Sequence, residues 1–241
     1  MSLNWPFDYC GEISDALLVS TREVLSAWPD FRNSPVSKLL RTSPLVNSAI
    51  DRNEHLFFSH LAPTYSNPYA GMMAIHLRRG DYEIACHKYP RWSSPFFGWN
   101  QLPELRDSFI PPPGGSYGTN TPENTALYLK RCLPTVEQIL TKIKDSKLEW
   151  EENPASQDHK LTSLYIMTNA DRKWLDNLKD RLFEEGWLTV ISSNELILDA
   201  EQTTVAMSVD MDIGRRAAVF IGNGVRYLRL CHYPSPTFSA I

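Results

Sequence analysis

The sequence predicts an α/β fold, a Rossmann-like parallel sheet with helices on both faces, and three observations carry that expectation. First, an apolar run from Met72 to Ile75 leads into His76-Leu77-Arg78-Arg79-Gly80-Asp81, the pattern of a buried strand that ends in a charged turn. Second, strands and amphipathic helices alternate from Leu161 onward: strand Leu161–Thr168, helix Ala170–Glu185, strand Leu188–Ile191, helix Glu201–Arg216 and strand Ala217–Ile221. Strands separated by helices pair in parallel, and a parallel sheet is covered on both sides. Third, the strands end in polar or glycine-rich turns, Thr168-Asn169 and Gly222-Asn223-Gly224 beside the arginine turn. In open α/β sheets ligands bind in the crevice outside those carboxyl ends.

The other elements follow in chain order. Ile13, Ala16, Leu17, Val24, Leu25 and Trp28 recur near helical spacing, and Pro29 is expected to close that run. Short helices are expected after Pro35 and over Pro44–Ile50, and Leu61–Tyr69, with Pro63, Asn67 and Pro68, reads as a connection. Glu83–Glu123 is rich in Pro, Gly and aromatic residues and holds no lasting period, so it reads as a long irregular insertion. Trp92, Phe96, Phe97 and Trp99 either pack beneath that insertion or form a platform for a sugar or acceptor. Thr121-Pro122-Glu123 opens a helix, with proline at its first position and acid in its first turn. That helix runs to about Lys144, bent or divided by Pro134, and Asp145–Lys160 reads as an exposed linker. The chain thus divides into a helical stretch over 1–60, a Rossmann-like domain over 61–224 and a tail over 225–241 without helical period.

Composition narrows the function classes. With 42% hydrophobic and 22% charged residues, the 241-residue chain has the make-up of an ordinary globular protein with a sizeable core. A net charge of -4 and a pI near 5.9 argue against nucleic acid or an anionic membrane as the main partner. No run of about 18 apolar residues forms a membrane segment, and Met1-Ser2-Leu3-Asn4-Trp5-Pro6 lacks the pattern of a signal peptide. The cysteines, Cys10, Cys86, Cys132 and Cys231, have no zinc-like spacing, so no metal site is expected. Cys86 and Cys132 flank the insertion; a disulfide closing it in an oxidising compartment and buried free thiols are both open.

The candidate chemistry lies at the strand ends. No Gly-x-Gly-x-x-Gly, P-loop or Gly-x-Ser-x-Gly pattern is present. Arg78 and Arg79 would suit a phosphate-bearing ligand, because a guanidinium is a permanently charged fork that matches phosphate oxygens. Glycines at 222 and 224 would let backbone N–H groups approach an anion closely.

His-Leu-Arg-Arg-Gly-Asp at 76–81, Leu-Tyr-Ile-Met-Thr-Asn at 164–169 and Ser-Val-Asp-Met-Asp-Ile-Gly-Arg-Arg-Ala-Ala-Val-Phe-Ile-Gly-Asn-Gly at 208–224 resemble, in order, the three motifs of the protein O-fucosyltransferase-like family. The resemblance implies the donor-binding half of a GT-B glycosyltransferase. It implies inverting, metal-independent transfer of fucose from GDP-fucose to a hydroxyl of a protein or glycan. It also implies a secretory-pathway parent in the ER or Golgi, and no cofactor beyond the nucleotide-sugar donor. Arg78 would be the catalytic residue, neutralising the diphosphate as the glycosidic bond breaks. His76, Arg79, Asp81, Thr168, Asn169, Gly222, Asn223 and Gly224 would line the donor site, although relatives carry Asp where this chain has Asn169.

The family's Gly-rich first motif has no match here, and Val225–Pro236 replaces the hydroxyl-rich helix start expected after the last turn. A non-catalytic nucleotide-sugar-binding fragment is therefore the alternative reading. The residues also admit plainer roles. Arg79 could pair with a surface acid, His76 could be a core histidine, Asp81 could cap its turn, and a solvated helix face would account for Asp210 and Asp212. Arg79-Gly80-Asp81 as an adhesion tripeptide requires an exposed flexible loop, which a turn following a buried strand is not.

Overall fold

A computed structural model describes residues 25–58, 67–93, 96, 109–153, 156 and 160–222. The expected helical positions over 12–24, together with Phe97, Trp99 and the tail over 225–241, lie outside these residues. Among them, a four-stranded sheet has the order β3-β2-β1-β4, with β1 Met72–Leu77, β2 Ser163–Thr168, β3 Thr189–Ser192 and β4 Val219–Ile221. Every pairing is parallel. The register sets Leu77 beside Thr168 and Ile75 beside Ile221, which brings the ends of β2 and β4 to either side of β1.

Side-chain alternation along the strands separates two cores. Met73, Ile75 and Leu77 of β1 join Leu164, Ile166, Val190, Val219 and Ile221 on one face, packed against α5 (Val136–Glu151) and α6 (Arg172–Glu184). Met72, Ala74, Tyr165, Met167 and Phe220 face the other way, against α2 (Pro44–Phe58) and α8 (Ala206–Arg216). Both faces are thus covered, as the unbroken apolar strands require. Each fully buried large apolar side chain contributes about 1.5–3 kcal/mol.

Local signals explain most boundaries. Ser34 caps α1 (Pro35–Leu39), whose first position is a proline. Thr121 caps α4 (Pro122–Cys132) through the Asn124 N–H. Pro134 divides the long apolar run, and Thr135 restarts it as α5 through a reciprocal capping box with Gln138. Asp171 caps α6, which ends in a Schellman turn: Gly186 at φ +88° donates to Phe183, and Trp187 donates to Leu182.

Several sequence expectations need correction. Residues 25–33 are helical, so that run continues past Pro29. α2 extends to Phe58 rather than Ile50, because Asn53 and Phe57 carry its buried stripe on. The insertion is not irregular throughout: α3 (Glu83–Lys88) follows the arginine turn, with Cys86 buried at its centre. α5 reaches Glu151, so the first half of the expected linker is helix, anchored by buried Ser146 and Trp150. The helix expected over Glu201–Arg216 is broken into α7 (Ala200–Thr203) and α8, with the chain leaving helical geometry at Val205.

Cys86 and Cys132 are disulfide-bonded, joining α3 to the end of α4. Both are fully buried beside Phe96 and Tyr128, with Tyr89 and Phe109 packed around them. Phe96 meets the rings of Tyr89, Phe109 and Tyr128 at centroid distances of 5.2, 4.9 and 5.5 Å. For Phe96, packing beneath the insertion is the correct reading, while Trp92 stays 37% exposed. Among the described residues no helix is long and apolar enough to cross a membrane.

Candidate functional site

The site is built on β1, which lies between β2 and β4. Its chain leaves the sheet at Leu77, and the next residues form a tight turn before α3. In that turn the Arg78 guanidinium grips the Asp81 carboxylate along one edge, with Nε donating to Oδ1 at 3.1 Å and Nη2 to Oδ2 at 2.7 Å. The guanidinium also lies over the Tyr82 ring, 5.5 Å from its centroid. Such bidentate pairs fix orientation as well as charge.

Asn169, just past the end of β2, closes the arrangement. Its amide nitrogen donates to Asp81 Oδ1 at 2.7 Å, and its oxygen accepts the Arg79 backbone N–H at 2.9 Å. Gly80 permits this approach, since a Cβ there would sit 3.2 Å from the Asn169 carbonyl oxygen and 3.3 Å from its side-chain nitrogen. Thr168 bonds strand to strand, its hydroxyl donating to the Leu77 carbonyl at 2.6 Å and accepting the Ala170 N–H at 3.0 Å.

Arg78 holds the Asp81 carboxyl down at about 2; partial burial opposes this and the Asn169 amide adds to it. The sign follows from linkage: a depressed acid contributes stability that is complete above the ordinary value near 3.9 and lost as pH falls toward 2. The Asp81 side chain is 57% exposed, so solvent screens the effect. Asp81 is expected to remain ionised at pH 3 in a carbon-13 carboxyl titration, and a midpoint near 4 would remove the Arg78–Asp81 pair from the description.

Arg79 does something different from its neighbour. Its Nη1 donates to the Pro134 carbonyl at 2.5 Å, and its guanidinium stacks on Trp174, 4.3 Å from the ring centroid. Burial pulls its pKa below the ordinary value, partly opposed by Glu83 and Asp171. Arg79 therefore ties the turn to the α4–α5 break and to the start of α6, rather than pairing with a surface acid. So anchored, the Arg79-Gly80-Asp81 tripeptide is not a free adhesion loop.

His76 shares the face of β1 that carries Met72 and Ala74, and is half-buried near the strand's end. Gly222 follows β4 directly and is buried, whereas Asn223 and Gly224 lie outside the described residues. Arg78, Asp81 and Asn169 are thus in direct contact, Thr168 braces them, and Arg79 faces the α4–α6 side.

A solvated helix face does not account for Asp210 and Asp212. Asp210 accepts from the Tyr165 hydroxyl and, at 3.0 Å, from Ser193, whose oxygen also accepts the Thr168 N–H at 3.3 Å. Burial raises the Asp210 carboxyl, against the lowering effect of those two hydrogen bonds. Asp212 is 6% exposed and accepts from Thr42, Arg215 and Arg216. Ser193 and Tyr165 were not singled out by sequence; a tyrosine inside an apolar strand is the one signal that a buried partner was needed.

Beside Pro134 a groove of about 660 Å³ opens along α4 and α5, walled by Phe109, Ile110 and Leu127, and none of the strand-end residues lines it. Among the described residues no group of three His, Cys, Asp or Glu side chains converges on a metal-sized site.

No family model matches the chain, and no curated protein matches it. Among solved structures it is similar to a crystal structure of POFUT1 in complex with GDP, at 17% identity over 79% of this chain and 43% of that one, with a TM-score of 0.47. It is also similar to POFUT1 in complex with GDP-fucose, at 18% identity over 79% of this chain and 41% of that one, with a TM-score of 0.45. The chain spans less than half the length of the POFUT1 chains in these structures.

Proposed function

We propose that the chain forms the donor-binding half of a GDP-fucose-dependent glycosyltransferase, with Arg78 facing the diphosphate. The observation that carries this reading is convergence. Three motifs distant in sequence, around Arg78, Asn169 and Gly222, end three adjacent parallel strands with the arginine turn in the middle. The crevice beyond such strand ends is where open α/β sheets bind ligands.

In the reaction the bond between the fucose anomeric carbon and the β-phosphate oxygen breaks. The acceptor hydroxyl oxygen forms the new bond from the opposite face and gives up its proton to solvent, and GDP departs with the bonding electrons. Negative charge grows on the diphosphate as that bond lengthens, so a fixed guanidinium stabilises the transition state more than the ground state. Arg78 supplies that cation, and a metal ion is not required for the role. His76 and Gly222 flank the nucleotide pocket in this reading, and the acceptor is a hydroxyl of a protein or glycan.

Calorimetry with GDP and GDP-fucose, paired with a donor-hydrolysis assay, tests the proposal. The wild type should bind GDP, and Arg78→Ala should weaken it by about 100-fold, close to 3 kcal/mol for the loss of one charge-matching donor. Absence of GDP binding, or unchanged affinity in Arg78→Ala, overturns the proposal. Donor binding without hydrolysis or transfer assigns the chain to the non-catalytic alternative.

A further inference from the structure

We propose that Asn169 is a positioning residue that acts through Asp81 to hold the Arg78 guanidinium in the orientation that meets a nucleotide diphosphate. The inference rests on the donor-site reading above and assigns Asn169 a role within it other than touching ribose or base. The Asn169 amide offers an acceptor and a donor on separate atoms, and both are used here. Its oxygen takes the Arg79 N–H at 2.9 Å, so its NH2 must be the group that faces Asp81 Oδ1 at 2.7 Å. A carboxylate at 169 could still accept the Arg79 N–H, but it would set a second negative charge against Asp81 at hydrogen-bond distance.

The consequence reaches Arg78 because Asp81 Oδ1 is shared. It accepts Asn169 Nδ2 and Arg78 Nε, while Oδ2 accepts Arg78 Nη2. The Asp81 side chain is 57% exposed, and its bond to Asn169 ties it to the residue that follows β2. Because Asp81 takes the Nε/Nη2 edge of the guanidinium, the set of the Asp81 carboxylate fixes the plane of that side chain. Gly80 belongs to the same device, since a side chain there would crowd Asn169.

The test compares wild type, Asn169→Ala and Asn169→Asp by two readouts, the NMR signal of the Arg78 side-chain Nε–H and GDP affinity by calorimetry. A role confined to holding the Arg79 backbone would be rescued by Asn169→Asp, which keeps the acceptor. A role through Asp81 would not be. Both variants are expected to lose the signal of the Asp81-bonded Nε–H and to bind GDP at least about 10-fold more weakly. Retention of the signal and of affinity in Asn169→Asp overturns the positioning role while leaving the donor reading intact. No GDP binding by the wild type instead overturns the donor reading, whatever the Arg78 signal shows.

Discussion

Replacing Cys86 and Cys132 together by alanine is expected to lower the unfolding free energy by about 4 kcal/mol. The disulfide closes a loop with a sequence separation of 46, and chain entropy alone assigns a loop of that size about 4 kcal/mol. Two features keep the native state from relieving that loss. Both cysteines are fully buried, and the cluster around them is aromatic, with Phe96, Phe109 and Tyr128 meeting ring to ring. The double replacement avoids leaving a lone thiol, so it reads the cross-link rather than a reactive cysteine. Urea unfolding of the two proteins checks it. The midpoint should fall and the slope should rise, because the freed unfolded chain exposes more surface. A loss under about 1 kcal/mol, with the slope unchanged, would mean that the cluster holds α3 to α4 without the bond. The site shares in the outcome: α3 begins where the arginine turn ends, and α4 ends just before Pro134, the acceptor for Arg79.

The same segment shows what the sequence made legible and what it did not. The strands were readable because each is an apolar run ended by a polar turn, and a parallel strand buried on both faces leaves little else for such a run to be. The division at Pro134 was readable because proline removes a donor in mid-helix. α3 was not, since it spans only Glu83–Lys88 and is held by a disulfide partner and aromatic neighbours that local pattern does not reveal. At the site, the residue types at the strand ends were visible, but their division of labour was not. Arg78 and Arg79 are adjacent in sequence, yet one grips Asp81 in its own turn and the other stacks on Trp174 across the fold. Asn169 reads as a ligand contact by its position, and only the folded chain sets it against Asp81. Which face a strand-end side chain takes depends on partners far along the chain, and periodicity carries no record of them.

Asp212 extends that argument into the second large effect: Asp212→Ala is expected to cost about 3 kcal/mol, although a helical acid with arginines after it reads as an exposed face. Its carboxylate takes Arg215 through Nε at 2.9 Å and Nη2 at 2.7 Å, Arg216 through Nε at 2.8 Å, and the Thr42 hydroxyl at 2.7 Å. Burial by itself would raise the Asp212 carboxyl, but the Thr42 hydroxyl and the two arginines outweigh it and hold the group below its ordinary value. Removing the acid leaves two guanidiniums facing each other around the gap. Breaking a buried pair costs about 3–5 kcal/mol, and the arginines, 27% and 25% exposed, place this case at the low end. Asp212→Asn separates charge from shape: it keeps the size of the side chain but turns an amide N–H toward one of the arginines, so most of the loss should remain. Because the carboxyl is depressed in the folded state, its contribution is complete above the ordinary carboxylate range and fades as pH falls through the folded value. The wild type and Asp212→Ala should therefore differ most at neutral pH and converge in acid, as read from urea midpoints across that range. Variants within about 0.5 kcal/mol of wild type at neutral pH would show that solvent already stabilises these arginines. The link from Thr42 to α8 would then be incidental to holding the helix that leads into β4.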